Sequence, residues 1–379
     1  MKPRTLGITV VVLALAVIGF LFFRLPQPII ELAPEKLVGL GGFRVTNTIL
    51  TAWVMIAVLS LITIAGTRKL SLVPSGFQNF FEAIVEGFGN IVTNVAGERN
   101  GRRFLPVVFT IFLYIVFCNW SALTPLFNQI GLVENKGAEI LEAAHAHPND
   151  VVHEPEKLHG WVMQKAGISI VPLFQSTKLV EVDIPEGITL QEKADRMNKA
   201  IEAKLGRPLD EDSEVYGLIA PFLRGVNTDL NATLSYAIWS AIFVELWGIT
   251  TLGLLSYGSK FFNFKRLFKG DIVNGIIDVF VGLLELVSEF ARLISFTFRL
   301  FGNIFAGEVL LFMMSFLVPF LLVDVFYALE IFVGLIQGFV FAMLTLVFGV
   351  MAVSAHGDHD EHHAEEHVAP AAAAGGSRH

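Results

Sequence analysis

Residues 291–310, ARLISFTFRLFGNIFAGEVL, hold the feature that the rest of the chain must accommodate, Arg299. They lie in an apolar run from 272 to 318 that contains no proline. An arginine near the centre of a membrane helix costs roughly 2.5–3.5 kcal/mol on insertion scales. Leucine there would insert more favourably, so a guanidinium in this place needs a partner or an aqueous path.

The whole chain supports a membrane reading. Hydrophobic residues make up 54% and charged residues only 16% of the 379, and the mean hydropathy is +0.62. This is too apolar for a soluble domain of the same size and fits a polytopic membrane protein. The net charge of −8 says little about partners, because the acids gather in 133–224 and in the C-terminal tail. Basic residues are scattered, which leaves no nucleic-acid footprint. The one cysteine, Cys118, sits in an apolar run and reads as a small core residue.

Working outward, the chain divides by composition. Residues 1–24 carry an apolar stretch behind Lys2 and Arg4, either a membrane helix or a signal sequence. No small-x-small cleavage site follows it, which favours a retained anchor. A loop with Pro26, Pro28 and Pro34 leads to a second span at 48–66, closed by Arg68 and Lys69. In 76–96, Phe77, Phe80, Phe81, Ile84, Val85, Phe88, Ile91, Val92 and Val95 recur at helical spacing opposite Glu82, Glu86, Asn90 and Asn94. That pattern predicts an amphipathic helix in the interface plane. A basic loop, 97–103, precedes a span at 104–123, and another span is expected at 234–257, ahead of the basic segment 260–269. Glu245, inside that last span, should face protein or water. The positive charges place these loops in the cytoplasm, with residues 133–224 outside.

Residues 133–224 have the composition of a soluble insertion. A strand is expected at 177–184, an amphipathic helix at 189–205, and a small α+β unit overall. His145, His147, His153 and His159 fall here, and the remaining six histidines are in the tail. The His-x-His pair has no spaced ligand set beside it, so solvated surface is the reading, with no metal or cofactor implied. The acidic, His-rich tail, 354–379, is expected to be disordered and cytoplasmic.

Residues 272–353 read as two long helices joined near 319–324. The first would be about 70 Å long at 1.5 Å per residue, against a hydrocarbon core of about 30 Å. No turn signal interrupts 293–301, so a strongly tilted hairpin is expected. The expected fold is thus an all-α polytopic membrane protein with an interfacial helix, a tilted hairpin and a small external insertion. Arg292, Ser295, Arg299 and Asn303 advance by three or four residues and form one stripe. Glu308 lies about half a turn away from Arg299 in projection, and Glu330 and Gln337 share a face of the second helix. Polar groups in two zones with an arginine between are the pattern that two offset aqueous half-channels require; the alternative is a salt-bridge network that locks the hairpin. No histidine lies in the hairpin, so Glu308 and Glu330 are the candidates to hand on a proton.

At this point Ser295-x-x-x-Arg299-Leu300-Phe301-Gly302-Asn303-x-x-Ala306-Gly307-Glu308 resembles the signature of subunit a of F-type ATP synthases. Gln337 within LIQGFVFAMLTLVF resembles the matching motif of that family's last helix, and NTDLNATL at 227–234 the start of the preceding one. The resemblance implies that Arg299 faces the essential carboxylate of a rotating c-ring and blocks direct proton flow between half-channels. It places Asn303, Glu308 and Gln337 in the outer half-channel, Ser295 and Arg292 near the inner face, and Glu285 and Glu289 at the cytoplasmic vestibule. Glu330 stands where some members carry histidine. The implied partners are c-ring subunits, peripheral-stalk b subunits, the rest of the ATP synthase complex and membrane lipid, and the implied location is a bacterial cell membrane. Such a subunit translocates ions and makes or breaks no bond itself. Leu293 stands where many members have proline, and both the first apolar stretch and the long insertion are additions to the family pattern. A secondary transporter would call for inverted repeats and Gly/Pro-broken helices, and an intramembrane enzyme for a nucleophile–base pair. The sequence offers neither.

Overall fold

The computed structural model describes residues 33–40, 43–68, 76–124, 126–128, 130–164, 168–170, 178–210, 212–259, 261, 272–317 and 322–354. The expected N-terminal anchor, the basic segment 260–269 apart from residue 261, the turn joining the last two helices and the tail beyond Ser354 lie outside these residues. The elements run β1 (Lys36–Leu40), β2 (Phe43–Thr46), α1 (Asn47–Thr67), α2 (Phe77–Ala122), β3 (Ile130–Glu134), α3 (Lys136–Ala146), β4 (Glu156–Gln164), β5 (Ile168–Ile170) and β6 (Lys178–Ile184). They continue with α4 (Leu190–Leu205), β7 (Glu214–Pro221), a 3₁₀ turn (Val226–Thr228), α5 (Leu230–Leu252), α6 (Leu254–Gly258), α7 (Ile272–Leu317) and α8 (Leu322–Ser354). Among the described residues, the five helices α1, α2, α5, α7 and α8 are long and apolar enough to cross a membrane. The chain is therefore a multi-pass, mostly helical membrane protein carrying one small sheet region.

Helix α7 is continuous over 46 residues, about 69 Å at 1.5 Å per residue. A helix of that length crosses about 30 Å of hydrocarbon only at a steep slant or by running on beyond it. Helix α2 has the same length but not the same nature. Gly97 takes φ 73 and ψ 162, a backbone region open essentially to glycine alone. The chain folds back there, so that a Cβ on Gly101 would meet the Thr93 Cα at 2.9 Å. The expected basic loop at 97–103 is thus a single-residue break, with helix resuming directly after Gly97. The segment between Leu25 and Asn47, expected as loop throughout, contains the antiparallel ribbon β1–β2, in which Leu40 pairs with Phe43.

The described residues fall into two compact units. The first takes those within Met1–Ala65, Tyr114–Thr233 and Phe298–Gln337. Its sheet is antiparallel, in the order β5-β3-β7-β4-β6. Leu158, Val162, Val180, Val182 and Ile184 from the strands pack with Met197 and Ile201 of α4 around Tyr216. Burial pushes the Tyr216 phenol up to about 12, and its hydroxyl donates to the Val180 carbonyl at 3.3 Å. Helix α4 starts where Thr189 and Glu192 form a capping box and ends on Gly206 at φ 77. The strand expected at 177–184 occupies Lys178–Ile184. His159 faces Glu181 across the sheet at 3.8 Å, and among the described residues no three His, Cys, Asp or Glu side chains gather to hold a metal.

The second unit takes the described residues within Gly66–Leu113, Leu234–Thr297 and Gly338–His379. Its core joins Phe88, Val92, Phe104, Val108, Val244, Trp247, Ala342 and Leu346. Phe104 stacks on Trp247 with ring centroids 4.1 Å apart, and Phe88 lies on Phe112 at 4.8 Å. The amphipathic face of 76–96 divides its contacts: Phe88 and Val92 enter this core, whereas Phe77, Phe80 and Ile91 stay exposed. Large apolar side chains left outside in this way suit a lipid surround.

Candidate ion-translocation site

The site residues of the first unit lie on α7 and α8 and on the strands and turns around them. Arg299, Asn303 and Ala306 are exposed, one turn apart on α7, while Leu300 and Ile304 beside them are buried. Helical spacing thus sorts this stretch into a packed apolar face and an outward face that carries the guanidinium and an amide.

Glu308 lies about a half-turn from Arg299 and meets different neighbours. Its carboxylate accepts from the Asn128 side-chain amide at 2.8 Å. The Thr228 hydroxyl is a further side-chain partner, and the Arg224 guanidinium is the opposing charge. Asn128 adopts φ 58, a left-handed conformation that asparagine tolerates better than most residues, and its backbone N–H donates to the Leu223 carbonyl at 2.9 Å. Glu308, Asn128, Arg224 and Glu35 line a cleft of ≈ 160 Å³.

Glu330, on α8, is 8% exposed and sits against Gly307, where an added Cβ would fall 2.2 Å from its Oε2. The Ala306-Gly307-Glu308 segment therefore serves two carboxylates in different ways. Gly307 makes room for one, and Glu308 presents the other to the cleft. Gln337 is half-buried one turn after Gly334. The Gly334 carbonyl accepts from Asn119 Nδ2 at 3.0 Å, and Asn119 Oδ1 accepts from Asn227 Nδ2 at 2.6 Å. Thr48 Oγ1 donates to Asp229 Oδ2 at 2.6 Å. The 3₁₀ turn and its cap Asp229 are thereby pinned by buried side-chain hydrogen bonds to α2 and α1, and through Asn119 to α8.

In the second unit, Ser295 is exposed on α7 and Glu285 and Glu289 are half-buried. Arg292 is held by neighbours within this unit. Its Nη1 donates to Glu289 Oε2 at 2.7 Å, and its guanidinium lies 3.7 Å from the Phe348 ring centroid. A delocalised planar cation gains from both contacts where water is scarce, so the side chain folds onto its own unit. Glu245, Glu289 and Arg292 all lie within electrostatic range of the Tyr257 phenol. Ser240 and Thr345 share a hydrogen bond of 2.8 Å nearby on α5 and α8, and Ser240 lines a small cavity with Glu289 and Arg292.

Arg224, Asn128, Asn119 and Thr48 carry no mark in the sequence. Arg224 and Asn128 lie outside the apolar runs long enough to span a membrane, where a polar residue is no anomaly. Asn227 and Asp229 fall in a recognisable motif, but its spacing does not reveal which helices they hold.

Apolar helices that bear arginines, amides and several acids within their length define a multi-pass membrane protein with ionisable groups inside its membrane segments. Comparison with known proteins identifies which one of that class. The family described as ATP synthase A chain matches residues 49–349, and the chain belongs to it. It is similar to ATP synthase subunit a of Gloeobacter violaceus, 27% identical over 93% of this chain and 99% of the relative. It is likewise similar to ATP synthase subunit a of Moorella thermoacetica, 22% identical over 85% of this chain and 98% of the relative. Membership makes it a membrane component of an ATP synthase, of the proton-translocating kind.

Proposed function

We propose that this chain is the stationary half of the ion path in a bacterial ATP synthase. Arg299 faces the ion-binding carboxylate of each c subunit as the ring turns, and the two half-channels meet the ring on either side of it. The observation that carries this reading is the outward position of Arg299 and Asn303 on the apolar helix α7, while Glu308 of the same helix lines its own cleft and Glu330 of α8 packs against Gly307. A guanidinium exposed on a membrane helix is costly in lipid and favourable opposite a carboxylate. Glu308, Glu330, Gln337 and Asn303 serve the outer half-channel; Ser295, Glu285 and Glu289 serve the cytoplasmic one. A peripheral stalk of b subunits holds the chain still. The positive-inside pattern puts the insertion outside and the tail in the cytoplasm.

Arg299→Ala should abolish proton-driven ATP synthesis while the complex still assembles, and Arg299→Lys should not restore it. Lysine lacks the planar fork, and its charge is more readily lost in low dielectric. Normal synthesis by Arg299→Ala in membrane vesicles would overturn the proposal.

A further inference from the structure

The cleft at Glu308 has walls of two kinds. One is membrane helix α7, through Phe305 and Val309; the other is strand β7 of the insertion, through Leu218, Ile219 and Pro221. At ≈ 160 Å³ the cleft admits several waters, since one needs about 10–15 Å³ of accessible space and two or more polar partners. Its rim offers those partners as a carboxylate (Glu35), a guanidinium (Arg224) and an amide (Asn128), so it is built to be wet.

We propose that the insertion is part of the ion path: β7 forms the outer wall of a water-filled entrance that ends on Glu308. This rests on the reading of Glu308 as an outer half-channel group. Arg224 is only 7% exposed. Its Nη1 donates to the Ala33 carbonyl at 2.9 Å, and its backbone N–H donates to Thr51 Oγ1 at 3.1 Å. It is therefore a fixed charge, tied to the leader of β1 and to α1. With Asn128 donating to Oε1 and Arg224 as the opposing charge, the Glu308 carboxylate is held in the lining of the cleft. A solvated appendage used only for packing would have no reason to place a strand opposite this carboxylate.

The test uses the intact complex in cells that express Ile219→Cys. The native Cys118 is 2% exposed and out of reach of a polar reagent. Cells are treated from outside with a bulky, membrane-impermeant methanethiosulfonate. Label uptake is read from the mass of the chain, and proton-driven ATP synthesis is then measured in vesicles made from the same cells. Ile219→Cys should take the label and, once labelled, lose synthesis relative to the same unlabelled variant. Lys199→Cys, on the exposed side of α4, should take the label with no loss. Pro221→Cys probes the same wall if Ile219→Cys does not assemble. The proposal fails if the cleft cysteine takes no label, or if it is fully labelled and synthesis continues. Arg299→Ala assayed alongside separates the two readings. Loss of synthesis there together with undisturbed synthesis by labelled Ile219→Cys rejects the wall and leaves the stator function standing.

Discussion

A methyl group at Gly307 would test whether the position of Glu330 matters to ion transfer. An alanine Cβ there would lie 2.2 Å from Glu330 Oε2 and 2.3 Å from its Oε1 and Cδ, inside any permitted contact. The carboxylate has to retreat by about 1 Å to reach ordinary van der Waals separation. The obstacle is the end of a side chain and not backbone, so the helices need not part. The cost to stability should lie near the low end of the roughly 1–3 kcal/mol typical of overpacking. The cost to function should be larger, because a displacement of about 1 Å at a group that must align with donors and acceptors can lower a rate by about 10²-fold. Gly307→Ala should therefore assemble with nearly unchanged thermal stability and show proton-driven synthesis reduced by about ten- to a hundredfold. Adding Glu330→Asp withdraws the carboxylate by one methylene and should recover part of the loss. Wild-type synthesis by Gly307→Ala would refute the argument, as would a double variant no faster than the single one.

Two further expectations concern stability. Thr48→Val removes the buried hydrogen bond to Asp229, which for a charged acceptor is worth about 1.5–3 kcal/mol; the thermal midpoint of the purified complex should fall, and Thr48→Ser should hold most of it. In the insertion, the Arg207 hydrogen bonds keep the Glu214 carboxyl below its ordinary 4.5, and the Ser213 hydroxyl keeps Asp210 below its ordinary 3.8. Depressed folded-state values contribute stability that is full above these ordinary values and is lost as pH falls through the folded ones. Protection from hydrogen exchange at the start of β7, taken relative to the intrinsic rate at each pH, should therefore fall on acidification below about 4.5, modestly, because the pair is solvated. Arg207→Ala should flatten that response, and an unchanged pH profile would count against the assignment.

The membrane helices were legible because apolar runs have few other uses, and α4 because Thr189, Glu192 and Gly206 punctuate both of its ends. The β1–β2 ribbon was not, since Gly39, Gly41 and Gly42 among prolines read as loop. Neither was the pairing of β3 with β7, which joins strands from opposite ends of the insertion and leaves no local periodicity to detect. The same logic governs the site. Arg299, Glu308 and Glu330 stand out as charges in apolar sequence, where anomaly itself is the signal. Arg224 and Asn128 become visible only when folding brings them to Glu308. Nor could the spacing of Arg292 show that its guanidinium lies on Phe348, because that contact joins two helices.

Strands β3 and β7, by which the chain leaves the membrane region and returns to it, are hydrogen-bonded neighbours, with Gly131 opposite Pro221 and Glu134 opposite Leu218. The two ends of the insertion thus emerge from one seam, which lies within its five-stranded sheet. Everything between Glu134 and Leu218 can in principle be replaced by a tight hairpin turn without moving the helices on either side. Such a graft would still keep Leu218, Ile219 and Pro221 beside Glu308. The bulk of this domain is consequently separable from the few residues at its root.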